Sequence, residues 1–503
     1  MTRYLLFLLA LLLAGPLFSQ PGRSQLRQLD TYIEVARQQW RVPGMAVAVV
    51  KDGQLLLAKG YGERQLGSAQ PVDAHTIFNI GSTTKAMTAV AMGMLVDEGK
   101  LQWDDAVVEY LPEFQLYDPY ATRSMRVRDL FTHNLGLPNA DFLWGTARHS
   151  PEEILRRMRY LQPAYPLRGG YTYQNIMYLA AGALIGRLSG MPWEDFVQQR
   201  IFLPLHMEHS FPTKARSQQY ANRSVAHHYR FGTDEILPIA DFNADSIAPA
   251  GAVWSCITDM GKWVQCMLDS AKYPGGRLLQ AHTWAEIFTP QVLIPRRQFY
   301  PTAQLTRPKW TSYALGWFQH DYQGRAVDFH TGSLPGTIAQ IGLIQQEGLG
   351  YYFLGNLDHA EVRHALMYKV FDLFGPEKKG RDWSSELLAL YGSAPGRAAA
   401  ALQRLQNSRI PNTSPTLPLQ SYTGFYTHPL WGNAHITLID QQLQLQWEGS
   451  APVPLAHGHF DTFITQDPRA WVGPALIQFH LNREGQIESF TAGDYRFEKE
   501  AQK

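Results

Sequence analysis

The run "KAMTAVAMGMLV" that follows "GSTTK" constrains this chain more than any other stretch. Ala86, Met87, Ala89, Val90, Ala91, Met92, Met94, Leu95 and Val96 occupy every side of a helix. A helix that is apolar almost all round needs other elements on all sides of it. The chain must therefore build a large core, and its 503 residues, 45% of them hydrophobic, suffice for that and for more than one domain.

Ser82 and Lys85 stand at the start of this helix, three residues apart and so on one face. A lysine in the first turn of a buried helix loses water, and the positive end of the helix acts in the same direction. Both effects lower its pKa and leave a neutral amine able to take a proton from Ser82. The plain alternative has Ser82 as a cap and Lys85 snorkelling to solvent.

Before this helix, "MAVAVVKDGQLLLAKGYG" reads as two strands joined at Asp52-Gly53, a hairpin signal. From there to about His320 the text is helical and loop-like. Strand-like runs return at "RAVDFHTG", "TIAQIGLIQQ" and "GYYFLGN", followed by an amphipathic segment, "HAEVRHALMYKVFDLF". This order predicts one antiparallel sheet built from both ends of a domain and flanked by helices, with a helical insert and a cleft beside it. The segment 376–419, with "IPNTSPTLPL", reads as a linker. Beyond it, the alternation of Leu443, Leu445 and Trp447, and of Ile477, Phe479 and Leu481, predicts a small all-β barrel or sandwich over 420–503.

Two further groups supply partners for the Ser82–Lys85 pair. In "YTYQNIMYLAAG", Tyr173 and Asn175 stand two apart before a helix and point the same way if extended. In "FHTGSLPG", at the end of a predicted strand, His330, Thr331 and Gly332 combine an imidazole, a hydroxyl and a residue that permits close backbone approach.

The order S-x-x-K, Y-x-N, H-T-G resembles that of the serine β-lactamase and penicillin-binding-protein superfamily. It is closest to class C β-lactamase-like serine hydrolases and their esterase and peptidase relatives. "LFTHNLGLP", "MPWEDFVQQRIFLPLHM" and "AGAVWSCITDMGKWVQCML" extend the resemblance over about Gln25 to Phe374. The C-terminal module is similar to the lipocalin-like domain that often follows this hydrolase domain.

The resemblance implies an α/β (α+β) β-lactamase-like fold over 20–375 and an acyl-enzyme on Ser82. Lys85 or Tyr173 would be the base, and Asn175 would orient Lys85 and bind substrate. His330, Thr331 and Gly332 would line the substrate site, and the backbone N–H groups of Ser82 and Ser333 would form an oxyanion hole. Many relatives carry lysine where His330 stands. A histidine is a weaker anchor for a carboxylate, so an ester or amide substrate is expected at least as much as a β-lactam or D-alanyl peptide. We also expect His330 to hydrogen-bond Tyr173 and tune its proton affinity. The alternatives are a β-lactamase or D-alanyl-D-alanine carboxypeptidase proper, and a non-catalytic recognition protein.

The formal net charge of +1 gives no reason to expect a nucleic-acid partner. A small-molecule or peptide substrate is expected instead. Arg3, the apolar run Tyr4–Leu13 and the Gly15-Pro16 break read as a signal peptide over 1–19, with Gln20 first in the mature chain. The protein is then periplasmic or secreted, with no membrane span after cleavage. Cys256 and Cys266 read as buried free thiols. No cofactor and no metal are expected, since His206/His209 and His457/His459 lack a matching second cluster. No G-x-S-x-G or H-E-x-x-H motif points to another hydrolase class.

Overall fold

The computed structural model describes residues 23–376, 380–392 and 394–501; the expected signal peptide lies outside them. Helix α1 (Arg23–Gln39) leads into the hairpin β1 (Gly44–Lys51) and β2 (Gln54–Gly62). Asp52 and Gly53 turn the hairpin with φ of 50° and 75°, the left-handed pair that matches strand twist. The short strand β3 (Phe78–Asn79) and a 3₁₀ turn, Gly81–Thr83, precede α2 (Thr84–Asp97). The insert contributes α3 (Ile176–Ser189), β4 (Trp254–Ser255) and α4 (Ile257–Leu268). The chain then returns through β5 (Val292–Leu293), β6 (Thr311–Tyr313), β7 (Phe318–Tyr322), β8 (Arg325–Leu334), β9 (Thr337–Ile344) and β10 (Leu349–Gly355) to α5 (Val362–Phe374).

These strands form one antiparallel sheet in the order β2-β1-β10-β9-β8-β7-β6-β5, so both ends of the domain do build it. The sheet separates two cores. Ala46, Ala48 and Val50 of β1 face the core that holds α2, α3 and α4, while Met45, Val47 and Val49 face the one that holds α1 and α5. That is why β1 reads as an unbroken apolar run rather than an alternation. Residues Thr84 to Leu95 of α2 are all buried. Side chains such as Val90 and Met92 contribute about 1.5–3 kcal/mol each there.

Two local readings change. α5, expected to be amphipathic, is buried on every side, because α1 packs on it as well as the helix Trp383–Tyr391. β8 runs through His330-Thr331-Gly332 to Leu334 instead of ending there. The helices Trp383–Tyr391 and Ala394–Asn407 occupy much of the segment read as a linker.

Eight C-terminal strands close into a barrel, the last (Tyr495–Lys499) pairing with the first (Gly424–His428). Of the barrel and sandwich readings, closure selects the barrel and leaves no free edge. It packs on the loop around residues 139–149 of the larger domain. Phe142 stands edge-on to Trp431 and Trp447 at 5.3 and 5.2 Å, and Arg157 donates to the carbonyls of Pro429 and Leu430.

Candidate active site

Ser82 sits in the 3₁₀ turn before α2, at the point where β8 crosses closest. Gly81 has φ of +51°, and a Cβ there would lie 2.6 Å from the Ser333 nitrogen. A Cβ on Gly332 would lie 1.9 Å from the Ile80 carbonyl oxygen and 3.1 Å from the Ser82 nitrogen. Two glycines thus let the turn and the strand meet, which brings the backbone nitrogens of Ser82 and Ser333 to the same place. The Asn79 side chain accepts from the Gly81 N–H (2.7 Å) and holds the turn. Gly332→Ala is expected to lower kcat/KM by about 100-fold or more by separating these two donors, a loss of the size seen when one oxyanion donor is removed. Steady-state kinetics on the folded variant checks it.

Lys85 is fully buried. Its Nζ lies 3.1 Å from Ser82 Oγ, 2.7 Å from Asn175 Oδ1 and 2.9 Å from the Ala250 carbonyl oxygen. Burial pushes the amine down to about 7, with the Asp141 carboxylate pulling weakly upward. Two of these three neighbours are amide oxygens that only accept. A neutral amine satisfies them with its two N–H bonds, and its lone pair is then left facing the Ser82 hydroxyl. As an ammonium, Lys85 donates to all three oxygens, Ser82 Oγ included; desolvation is what makes the neutral form, with its lone pair free for the Ser82 proton, accessible near pH 7.

Asn175 opens α3, and its amide is oriented by Asp141. Nδ2 donates to both Asp141 carboxylate oxygens at 3.1 and 3.0 Å, which turns Oδ1 toward Lys85. Asp141 is fixed in turn by the Trp144 indole N–H (2.9 Å) and the Asn139 amide (2.9 Å). Sequence reasoning missed Asp141, which no motif marks.

Tyr173 lies in irregular chain before α3 and lines the same cleft as Ser82. Its hydroxyl is buried beside Ser82; burial holds the phenol well above the usual tyrosine range, and the Ser82 side chain pulls it the other way by a smaller amount. Lys85 Nζ lies 4.9 Å from the Tyr173 ring centre. His133, also missed, packs 4.2 Å from the Tyr173 ring and accepts from the Gln174 N–H through Nδ1.

His330 is not bonded to Tyr173; their ring centres are 6.2 Å apart. Its Nδ1 lies 2.6 Å from the Thr331 carbonyl oxygen, which only accepts, so Nδ1 carries the proton. Nε2 then accepts from the Tyr313 hydroxyl at 2.8 Å. The expected partner is displaced because Tyr313, two strands away on β6, reaches the same face of the sheet first. Burial, with Lys85 nearby, pushes His330 down to about 3, so it is neutral; it does not line the cleft, which Thr331 and Ser333 of the same strand do. Thr331 Oγ1 is 2.6 Å from the Tyr300 hydroxyl. Arg363 donates to the Gly332 carbonyl and Ser333 Oγ, with its charge met by Glu361.

The cleft over Ser82 has a volume of about 430 Å³ and is walled by Tyr171, Tyr173, Phe299, Tyr300 and Phe318. Among the described residues, no lysine or arginine lines it, and its one charged wall is Asp141. The two cysteines are free and buried.

Comparison with known proteins follows the same division of the chain. A family model described as beta-lactamase matches residues 29–371, and one described as a domain of unknown function (DUF3471) matches residues 408–503. The unguisins hydrolase ungD of Aspergillus violaceofuscus is 30% identical over 430 residues, covering 79% of this chain and 74% of that protein. Penicillin-binding protein 4 of Amycolatopsis lactamdurans is 28% identical over 332 residues, covering 64% of this chain and 83% of that one. In fold, the chain is similar to the octameric penicillin-binding protein homologue from Pyrococcus abyssi, with a TM-score of 0.59 at 19% identity over 94% of this chain and 100% of the other.

Proposed function

The chain belongs to the beta-lactamase family, and from that premise we propose that it is an exported serine hydrolase that cleaves neutral esters or amides through an acyl-enzyme on Ser82. The single observation that carries this reading is the placement of the buried Lys85 amine, 3.1 Å from Ser82 Oγ and held there by Asn175 Oδ1 and the Ala250 carbonyl.

In this mechanism Ser82 Oγ attacks the substrate carbonyl carbon while Lys85 takes its proton. The carbonyl oxygen becomes an oxyanion held by the N–H groups of Ser82 and Ser333. As the bond to the leaving group breaks, the proton passes from Lys85 to the departing oxygen or nitrogen. Tyr173, a phenol at rest, stands beside the path of that proton as a relay. Water then attacks the acyl carbon, gives a proton back through Lys85 to Ser82, and releases the acid.

The substrate class follows from charge. A neutral His330 and a cleft without arginine or lysine offer no strong anchor for a carboxylate, and Asp141 repels one. The aromatic walls favour an apolar or aromatic group instead. Export rests on residues 1–19, and no described helix is long and apolar enough to cross a membrane.

Two measurements test this reading. Because the base is the neutral amine, kcat/KM should rise with pH through about 7 and level off above it; His330 and Tyr173 do not titrate in that range. A profile flat from pH 5 to 9 would exclude Lys85 as the base. In a panel of p-nitrophenyl esters, D-amino-acid amides, D-alanyl-D-alanine peptides and β-lactams, the uncharged esters and amides should be turned over fastest. Faster turnover of the carboxylate-bearing substrates would favour a β-lactamase or carboxypeptidase proper.

A further inference from the structure

The strand pair that leads into Ser82 ends beside three side chains drawn from separate parts of the chain. His75 lies on the turn before β3, His209 on a turn of the insert, and Cys256 directly before α4. One imidazole nitrogen of each histidine and the Cys256 sulfur all lie within 4.8 Å of one another. The two rings are 5.0 Å apart at centre. Among the described residues, neither imidazole has a hydrogen-bond partner; both residues bond only through their backbones. Cys256 lies against Ile77 and Trp254, at the dry end of the group.

We propose that His75, His209 and Cys256 bind one zinc ion, which clamps the β3–β4 ladder beneath the Ser82 turn. Two imidazoles and a thiolate are a donor set that suits zinc, and a fourth, tetrahedral position is left to water. With Zn–S of about 2.3 Å and Zn–N of about 2.0 Å, ligand atoms stand roughly 3.5 Å apart, so the group must close by about one ångström. The exposed His75 side chain has the freedom to do so. Burial and Asp259 push the metal-free thiol up to about 12, while the N–H groups of Asp259 and Thr258 at the helix start favour its anion. Binding therefore expels the sulfur proton to solvent.

The placement gives the ion a mechanical role. β3 and β4 pair through Phe78 with Ser255 and Asn79 with Trp254, and the same Asn79 side chain holds the Gly81 N–H. His75 and Cys256 flank that ladder at one end. His206/His209 lacked a second cluster in the sequence because the other ligands lie far away along the chain. This inference does not depend on the hydrolase reading.

The test uses the full chain, stripped with a chelator and titrated with Co²⁺ and then Zn²⁺. One equivalent of Co²⁺ should raise a near-ultraviolet sulfur-to-cobalt band that Zn²⁺ displaces. The band should vanish in Cys256→Ser, and Zn²⁺ affinity should fall by about tenfold or more in His75→Ala and His209→Asn, as expected on losing one ligand. Zn²⁺ should also raise the melting temperature of wild type but not of His75→Ala, an exposed position at which the fold is not at risk. No cobalt–sulfur band in wild type, or an unchanged affinity in His75→Ala and His209→Asn, would overturn the proposal.

Discussion

Ser82→Ala is expected to lower kcat for an ester substrate by about 10⁴-fold or more, because it removes the hydroxyl that stands beside the Lys85 amine. The change deletes one half-buried oxygen that lies 3.1 Å from Lys85 Nζ and beside the Tyr173 side chain. Gly81, Asn79 and the close approach of β8 hold the backbone of the turn without it. The variant should therefore melt within a few degrees of wild type and retain substrate affinity. Circular dichroism and single-turnover kinetics separate loss of chemistry from loss of fold. A residual rate within tenfold of wild type would remove Ser82 from the mechanism.

Lys85→Met should cost about 10³-fold or more in kcat, the range for loss of a general base, and should also erase the acidic limb near pH 7 from any residual activity. Methionine fills similar volume but leaves Asn175 Oδ1 and the Ala250 carbonyl without their donor. Unpaired buried acceptors cost about 1–3 kcal/mol each. Removal of a dehydrated amine offsets part of that. Lys85→Arg separates charge from proton transfer, since a guanidinium keeps its proton at any working pH. It should be as inactive as Lys85→Met; recovery of more than about a tenth of the activity would show that position 85 supplies only charge.

The candidate site was legible in the sequence because its signals are local. Ser82 and Lys85 lie one helical turn apart, Tyr173 and Asn175 stand two apart at a helix start, with Asn175 already helical rather than extended, and Asp52-Gly53 forms a turn; each pattern is short enough to read from the text. What stayed hidden depends on contacts between distant segments. His330 chooses Tyr313 over Tyr173 because of how β6, β7 and β8 align across the sheet, and no spacing in the text encodes that choice. Asp141 orients Asn175 from a loop held from outside by the barrel at Phe142. α5 looked amphipathic because its polar residues His364, Lys369 and Asp372 suggest a wet face, yet Asp372 accepts from Tyr322 and Trp383 in the interior. The covering helix α1 buries Leu29, Ile33 and Ala36 on one face, but nothing in that pattern names α5 as its partner.

The barrel's contact with that loop links the two domains to one hydrogen-bond chain, Asp141 to Asn175 to Lys85. Asp141 is therefore the point at which a shift of the barrel would reach the amine. The proposed reaction rests on Ser82 and Lys85, whereas the proposed preference for uncharged substrates rests on the absence of lysine and arginine among the described residues that line the cleft.

The most direct measurement of the central claim is the intact mass of the full chain after incubation with a fluorophosphonate, for wild type and Ser82→Ala in parallel. The account predicts a single adduct on wild type, formed faster as pH rises through about 7, and none on Ser82→Ala. An adduct that persists in Ser82→Ala, or its absence from folded wild type at pH 8, would contradict it.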